Sequence, residues 1–338
     1  MLYIDDGIMV SHSDEETQAF IDELHECPFD LSVEDDYAGS LGVDIIAQAD
    51  GSLLLSQSDL ISRILADFGL TGSTSTKVTP AAEILAPHQS SAPFSDSYNY
   101  RSVLGKIMYL PSNTRCELSM ANHQCARFSI NPRTPHGTAL KRIRRYLLGT
   151  QDKGMMIVRP TKDLTLDCYA DADFAGLFSS SDPDHPKSFK SRSGFVITLG
   201  KIPVSRCSKF QSETALYTPW KPNTYVSPRP FVCSCLYASS STKYPCIALS
   251  LKHDPHSVIR STIFEDNQAC LLLATSDPPK MTSRSKIIAV KYHWFREHLQ
   301  PGVVAIAPLA SVDQLADIFT KPFSPTAFLH LRKQLLGW

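Results

Sequence analysis

Short apolar runs with the spacing of β-strands return in the second half of the chain, and they constrain its fold more than any other feature. From about residue 156, LTLDCYADADFAG and SRSGFVITLGKIPVSRCSK are typical of a strand and a hairpin, with the polar insertion FSSSDPDHPKSFK between them. A further β pattern, VIRSTIFEDNQ, is followed by helical stretches. The alternation predicts a mixed α/β domain in this half.

The first 75 residues also alternate apolar runs with polar turns. The tetrapeptide ADGS at 49–52 predicts a hairpin turn between two strands. A helix is predicted from Ser58 to Phe68, with Gly69 as its stop signal. One face of this helix carries Leu60, Ile61, Ile64, Leu65 and Phe68.

The stretch from Gly72 to Ser97 is rich in Ser, Thr, Pro and Ala, which predicts a linker or an extended connection. Three helical patterns follow, in YRSVLGKIMYL, SMANHQCARFSI and TALKRIRRYLLGT. The last pattern turns Leu140, Ile143 and Leu147 inward. It leaves a basic flank that could follow a phosphate backbone or form an ordinary solvated helix face, and the flank consists of Lys141, Arg142, Arg144 and Arg145.

Composition places the chain among ordinary intracellular proteins. The net charge is −1, so any nucleic-acid surface must be local. No apolar run approaches the roughly 20 residues that a membrane helix needs. Nine cysteines are scattered without metal-ligand spacing, which favours reduced thiols and argues against a structural zinc site.

Asp5 and Asp6 lie side by side near the start of the chain, in the apolar context LYIDDGIMVS. Two adjacent like charges resist double ionisation unless a cation lies between them. In a tight hairpin, an aromatic-x-Asp-Asp sequence presents both acids at the turn, where Mg²⁺ and a nucleoside triphosphate can reach them. The alternative is a solvated turn that carries two acids.

The segment LYIDDGIMVS resembles the polymerase hairpin of reverse transcriptases. The downstream sequence resembles the polyprotein of copia-type LTR retrotransposons, whose motifs it follows in order over most of the chain. The segments that carry this resemblance are GVDIIAQADGSLLLSQ at 42–57, the predicted helix at 60–70, YRSVLGKIMYL at 100–110, CARFSINP at 125–132 and ALKRIRRYLLGTQDKG at 139–154.

The resemblance implies that Asp5 and Asp6 stand where such polymerases hold two of their metal-binding acids. Two-metal phosphoryl transfer needs a third acid, which in the family comes from a strand well upstream. We therefore expect the chain to begin inside a polymerase palm, without the fingers, and not to synthesise DNA.

The second half resembles the RNase H domain that follows the polymerase, which implies a mixed sheet of about five strands with helices on its faces. Such enzymes hydrolyse the RNA of an RNA–DNA hybrid with two Mg²⁺ ions about 3.5–4 Å apart, held by four carboxylates. Asp171 matches the acid of the first strand, Asp266 the acid at the end of a later strand, and Asp317 the acid of the last helix. Asp173 is a neighbour without an assigned role.

The second acid of the four is missing. The family places it in a helix that begins like ALSTxEAEY, whereas this chain has ALYTPWKPNTY, and prolines make a helix there unfavourable. Codons for Trp220 to Thr224, read from the last base of the Pro219 codon, can encode Met-Glu-Ala-Glu-Tyr. We infer a one-base frame slip before Pro219 that ends before Phe264, with Glu213 as a weak substitute for the lost acid. A second departure puts Ile287 and Ala289 where the family tends to have a histidine and an acid.

Three domains are predicted: a palm remnant at 1–75, a thumb and connection at 76–155, and an RNase H-like domain at 156–338 with an irregular segment at 217–262. The expected function is that of a retrotransposon polyprotein fragment with weak or absent RNase H activity. The alternatives are an active RNase H whose frame slip is a sequence error, and a non-catalytic fragment that binds nucleic acid. We expect a cytoplasmic protein, in the virus-like particle of the family, with the nucleus as the alternative.

Overall fold

The computed structural model describes residues 2–3, 6–7, 13–27, 32–33, 41–69, 75–88, 90–158, 165–173, 191–210, 261–268, 271–272 and 304–338. No helix in these ranges combines the length and apolarity that crossing a membrane requires.

A small antiparallel hairpin begins the chain, formed by β1 (Leu2–Tyr3) and β2 (Asp6–Gly7). Tyr3 lies opposite Asp6 in the strand pairing. Helix α1 (Asp14–His25) follows, and the Ser13 side chain caps it by accepting a hydrogen bond from the amide of Glu16 at 3.2 Å.

The predicted hairpin around residues 49–52 is confirmed. Strand β3 (Asp44–Ala47) pairs with β4 (Leu53–Ser56), and the Asp50 carboxylate accepts a hydrogen bond from the Ser52 amide at 3.0 Å across the turn. Helix α2 (Ser58–Asp67) begins directly after β4 and buries Ile61 and Ile64, as predicted. Strand β5 (Met155–Ile157) adds a third strand to this sheet from almost 100 residues further along the chain.

A helical layer covers the middle of the chain. The connection before it contains no helix in its described residues, 75–88 and 90–99, and lies along the last of these helices, where Thr79, Leu85 and Tyr98 are buried. Leu140, Ile143 and Leu147 are almost completely buried, which confirms the predicted inner face. The helices are α3 (Tyr100–Asn113), a 3₁₀ turn (Cys116–Leu118), α4 (Ser119–Ala126) and α5 (Thr134–Leu148).

The second half contains the predicted mixed five-stranded sheet, in the spatial order β10-β9-β6-β7-β8. The central strand β6 pairs in parallel with β9 and antiparallel with β7, and the hairpin from β7 to β8 is the one predicted from sequence. Its strands are β6 (Leu166–Ala172), β7 (Arg192–Leu199), β8 (Ile202–Phe210), β9 (Ser261–Glu265) and β10 (Val304–Pro308).

The irregular segment predicted at 217–262 needs a correction at its end. Ser261 and Thr262 belong to β9, where they pair with Leu166 and Asp167 of β6. The β pattern of VIRSTIFEDNQ therefore extends into the end of the segment that was predicted to be irregular and out of frame. Residues 211–260 lie outside the described residues, and so do Ile287 and Ala289.

The end of the chain joins the sheet to the helical layer. Two 3₁₀ segments (Ser311–Asp313 and Leu315–Phe319) precede helix α6 (Pro325–Leu336). One hydrophobic core runs from Ile61 of α2 through Val196 of β7 to Leu336 of α6. The predicted division between residues 155 and 156 thus lies within a continuous packed core, and Met155, at this division, is part of it.

Candidate functional site

Asp171 lies near the carboxyl end of the central strand β6. Its backbone pairs with Gly194 of β7, and Ala170 beside it is almost fully buried. The Thr320 hydroxyl donates a hydrogen bond to Oδ2 of Asp171. Thr320 itself is buried, so this contact fixes one oxygen of the carboxylate from the side of the second 3₁₀ segment.

Asp317 reaches the same place from a different element than predicted. It lies in the 3₁₀ segment Leu315–Phe319, eight residues before α6 begins, so the assignment to the last helix was wrong. The short segment packs on β7 at Gly194, where an added Cβ would lie 2.8 Å from the side chain of Phe319. Ser208 of β8 donates a hydrogen bond to the Phe319 carbonyl at 2.6 Å, which holds the segment against the sheet.

Asp266 follows β9 directly, as predicted for the acid after a later strand. Strands β6 and β9 run in parallel with Tyr169 beside Phe264, and Asp171 and Asp266 come two residues later on their respective strands. Because the carboxyl ends of parallel neighbours meet at one edge of a sheet, the two acids share that edge. The three predicted acids therefore converge at one end of β6.

Charge within this cluster is only partly balanced. Burial, together with the charge of Asp171, raises the pKa of Asp317, while Lys321 opposes the shift. The Lys321 ammonium lies 2.7 Å from Oδ2 of Asp317. Oδ1 of Asp317 is buried and has no hydrogen-bond donor, apart from a carboxyl proton that it could share with Asp171. A protein with an orphaned carboxylate oxygen beside a second acid favours a proton or a cation there.

Lys321 faces the whole acidic edge. Burial lowers the pKa of its ammonium, but the contact with Asp317 and the charges of Asp171 and Asp266 outweigh burial and raise it. The lysine side chain is 43% exposed, whereas that of Asp317 is 4% exposed. The ammonium thus covers the mouth of the cluster from the solvent side.

Two further acids border the site. Burial raises the pKa of Glu265, the last residue of β9, to about 7, and its Oε1 accepts a hydrogen bond from the Asn267 amide at 3.0 Å. Burial also raises the pKa of Asp173 to about 6, and its carboxylate accepts a hydrogen bond from the Arg192 amide. Sequence reasoning did not single out Glu265. The signal that could have identified Glu265 was its place beside Asp266, at an inward position of a strand whose residues alternate between its two faces.

One observation favours a divalent cation at this edge and another opposes it. The buried oxygen of Asp317 beside Asp171, which lacks a donor from the protein, is a position that a cation would satisfy. In the part of the chain that the structure describes, no three His, Cys, Asp or Glu side chains are grouped closely enough to hold a metal ion. The segment predicted to have lost the second acid, including Glu213, lies outside that part.

Of the two predicted polymerase acids, only Asp6 belongs to the described residues. Asp5 lies outside the described residues, and Asp6 is described as the first residue of strand β2. The hairpin predicted around them is present in the backbone pairing of Tyr3 and Asp6.

The basic flank of α5 is engaged with the protein itself. Its members contact the connection that precedes α3 or lie in the core, so their hydrogen-bonding groups are engaged within the protein, although only Lys141 is paired with an acid. Lys141 pairs with Asp96 at 2.8 Å, Arg142 donates to the Thr79 carbonyl at 3.1 Å, Arg145 donates to the Ser75 carbonyl at 2.6 Å, and Arg144 is 5% exposed with its guanidinium 5.8 Å from the Phe68 ring. For Arg144 the alternative of a solvated helix face is wrong.

A second group of cations lies between α4 and the edge strand β8. The guanidinium groups of Arg127 and Arg192 lie 4.8 and 4.2 Å from the ring of Phe210. Burial and the charge of Arg192 lower the pKa of His123, and Lys209 adds to this effect. Lys209 is exposed, so this patch presents positive charge to solvent next to the acidic edge.

A mixed sheet with a central strand flanked by one parallel and one antiparallel neighbour, and with acids at the end of that central strand, has the architecture of an RNase H-like domain. Comparison with known proteins finds retrotransposon polyproteins. The chain is 29% identical over 340 residues to the retrovirus-related Pol polyprotein from transposon RE2 of Arabidopsis thaliana, covering 99% of this chain and 21% of the relative. It is 29% identical over 342 residues to that from transposon RE1 of the same plant, with the same coverage.

A third relative comes from another plant. The Pol polyprotein from transposon TNT 1-94 of Nicotiana tabacum is 27% identical over 347 residues, which cover 100% of this chain and 24% of the relative. No protein-family model matches the chain. Over nearly its whole length the chain is similar to the retrovirus-related Pol polyproteins of copia-type transposons, which supports a retrotransposon polyprotein fragment, and it spans about a fifth of the length of these relatives.

Proposed function

We propose that the acidic edge of the five-stranded sheet is an RNase H-type centre that acts on RNA–DNA hybrids, and that in this chain it cleaves weakly or not at all. The observation that supports it is the convergence of Asp171 and Asp317 at the end of β6, with Asp266 at the end of the parallel neighbour. Acids whose pKa values are raised by burial and by one another, as that of Asp317 is, are candidates for a functional site.

Within this proposal, Asp171, Asp266 and Asp317 are the residues that would hold Mg²⁺. Bound Mg²⁺ lowers the pKa of a water ligand and neutralises charge on the leaving oxygen. The chain's own groups position the acids: Thr320 orients Asp171, and the packing of Phe319 on Gly194 sets the depth of Asp317. Tyr169 and Phe264, two residues before Asp171 and Asp266 on the paired strands, stack with their ring centroids 4.9 Å apart.

The weak activity follows from the missing fourth acid. Removing one carboxylate of a two-metal centre costs several kcal/mol of transition-state stabilisation, and each 1.4 kcal/mol is about a factor of ten in rate. The charge of Lys321 against Asp317 also reduces the attraction for a divalent ion.

The test is a cleavage assay with the full chain and a hybrid labelled on its RNA strand, in Mg²⁺ or Mn²⁺. We expect hybrid binding with cleavage close to background, and any residual cleavage should disappear in Asp171→Asn. Lys153→Met is a suitable control because Lys153 forms an exposed ion pair with Asp152. Fast Mg²⁺-dependent cleavage that Asp171→Asn abolishes would refute the weak activity, and cleavage that survives in Asp171→Asn would refute the site.

Nucleic-acid binding without cleavage is a second candidate function, and the patch around Phe210 favours it. Here Arg127 donates to the Leu85 carbonyl at 3.2 Å, and Arg192, which is 1% exposed, donates to the Ser208 hydroxyl at 3.1 Å. The exposed Lys209 and the half-buried Arg127 are therefore the cations that this patch presents to solvent. Each phosphate contact adds about 0.9 to the slope of log affinity against log salt for a duplex.

This candidate predicts a difference between two sets of variants. Neutralising Lys209 and Arg127 should reduce the salt slope of hybrid binding, each by about one. Neutralising Lys141 and Arg145 should change stability more than the slope. An unchanged slope in the first set, or a reduced slope in the second, would contradict the assignment of the patch.

A further inference from the structure

Two consecutive side chains clamp the acidic edge. Thr320 donates a hydrogen bond to Oδ2 of Asp171, and Lys321 places its ammonium 2.7 Å from Oδ2 of Asp317. Each of the two carboxylates therefore has one oxygen already occupied by a donor from the same dipeptide. Of the two oxygens that these contacts leave, Oδ1 of Asp317 is buried beside Asp171 without a donor from the protein.

The Lys321 ammonium lies where a metal ion bound to Oδ2 of Asp317 would lie. A divalent ion bound to Oδ2 of Asp317 would lie about 2.1 Å from that oxygen if it were Mg²⁺. The ammonium nitrogen lies 2.7 Å from the same atom and faces Asp171 and Asp266 as well. Both cations cannot share this oxygen, because two like charges at contact distance repel strongly at a half-buried site.

The lysine is held there by more than the ion pair. Its ammonium also lies 6.0 Å from the ring of Phe323, and the chain around it is fixed by the Lys321 amide, which donates to the Asp317 carbonyl at 3.1 Å. If the lysine is displaced, the Asp317 carboxylate, whose side chain is only 4% exposed, carries an uncompensated negative charge. Several contacts of this turn therefore fix the position of the Lys321 ammonium.

We propose that Lys321 is an internal counter-cation, which occupies one of the two cation positions of the acidic edge and limits the centre to one weakly bound divalent ion. This rests on the proposed function, because it takes Asp171, Asp266 and Asp317 as the metal-binding acids. It goes beyond that function by assigning a positioning role to a residue outside the acid set. The lysine keeps the carboxylates together without metal and competes with metal when metal is present.

The test is a titration of the full chain with Mn²⁺, followed by isothermal calorimetry and by the shift of the thermal unfolding midpoint. Lys321→Met removes the charge and keeps much of the side-chain length. We expect it to bind Mn²⁺ about tenfold more tightly than the parent chain, with a larger midpoint shift at equal metal concentration. If Lys321 has only a structural role, Lys321→Met should bind Mn²⁺ as tightly as the parent chain or more weakly. Lys153→Met is the matched control and should bind as the parent does.

Three outcomes separate the proposals. Tighter binding in Lys321→Met that Asp317→Asn removes supports the counter-cation. Unchanged or weaker binding in Lys321→Met, with parent binding lost in Asp171→Asn, overturns the counter-cation and leaves the acid site intact. No binding in any variant overturns both. If Lys321→Met does not fold, Lys321→Gln retains a donor without the charge, and the same increase is expected for it.

Discussion

The contact between Gly194 and the 3₁₀ segment that carries Asp317 makes a sharp prediction. An alanine Cβ at position 194 would lie 2.8 Å from Cβ of Phe319, 2.8 Å from Cγ2 of Thr320 and 2.9 Å from the carbonyl oxygen of Ala316. Ordinary contact begins near 3.4 Å, so the segment must retreat from β7 by about 0.6 Å. Two of the three contacts involve atoms close to the backbone, which cannot rotate away.

Gly194→Ala should therefore reduce the free energy of unfolding by about 1–3 kcal/mol, the usual cost of overpacking a closely packed site. It should also weaken the hydrogen bond from Thr320 to Asp171, because the segment carries both Thr320 and Asp317. The assay is urea denaturation followed by circular dichroism.

Gly105→Ala is the matched control. Gly105 lies inside α3, is exposed, and has no atom within 4 Å of the position of an added Cβ. Alanine there should stabilise the chain by about 1 kcal/mol, through helix propensity. A Gly194→Ala chain as stable as the parent, beside the expected gain at Gly105, would refute the packing of the 3₁₀ segment on β7.

Two other predictions concern buried polar groups in the helical layer. Arg115 is fully buried and donates to Glu117 at 2.8 Å and to the Thr150 hydroxyl at 2.7 Å. Arg115→Met should therefore lower the free energy of unfolding, measured by urea denaturation, by about 3–5 kcal/mol. A loss below about 1 kcal/mol would contradict the ion pair. His136 is fully buried, accepts the Arg133 amide at Nδ1 and contacts the Ala86 carbonyl through Nε2, which fixes a neutral tautomer. Burial lowers the pKa of His136 below its ordinary 6.5, so the unfolded chain binds the proton first, and stability should fall as pH drops below about 6.5. His136→Gln should flatten this pH dependence of the unfolding midpoint, whereas replacing the exposed His25 should leave it unchanged. Equal pH curves for the parent chain and His136→Gln would contradict the role of His136 in this pH dependence.

Local patterns predicted the elements well, and tertiary packing explains what they missed. The 3.6-residue period of the α2 and α5 sequences predicted their buried faces, and the ADGS turn predicted β3 and β4. Strand β5 could not be predicted from its three residues, because its partner β4 is far away in sequence. A short strand carries too little periodicity to be recognised alone.

The acids were predicted by resemblance, and their surroundings were not. Asp317 was assigned to a helix, but DQLADIF folds into two short 3₁₀ segments around the buried Gln314, whose side chain reaches the Phe264 carbonyl at 3.5 Å. The basic flank of α5 looked free because sequence does not show its partners. Arg142 and Arg145 bind backbone carbonyls of an extended connection more than 60 residues away, a contact with no local pattern.

The most direct test of the central claim compares two versions of the chain. The first has the sequence described above, and the second is translated from a reading frame that is shifted by one base at Pro219 and restored before Phe264. The claim is that Asp171, Asp266 and Asp317 are three acids of an RNase H-type centre that lacks its fourth. Both versions are assayed for Mg²⁺-dependent cleavage of RNA in a hybrid, each beside its Asp171→Asn variant. We predict that the corrected chain cleaves at least about a thousandfold faster than the given one and that Asp171→Asn abolishes this cleavage. Equal rates in the two versions, or cleavage that persists in Asp171→Asn, would contradict the claim.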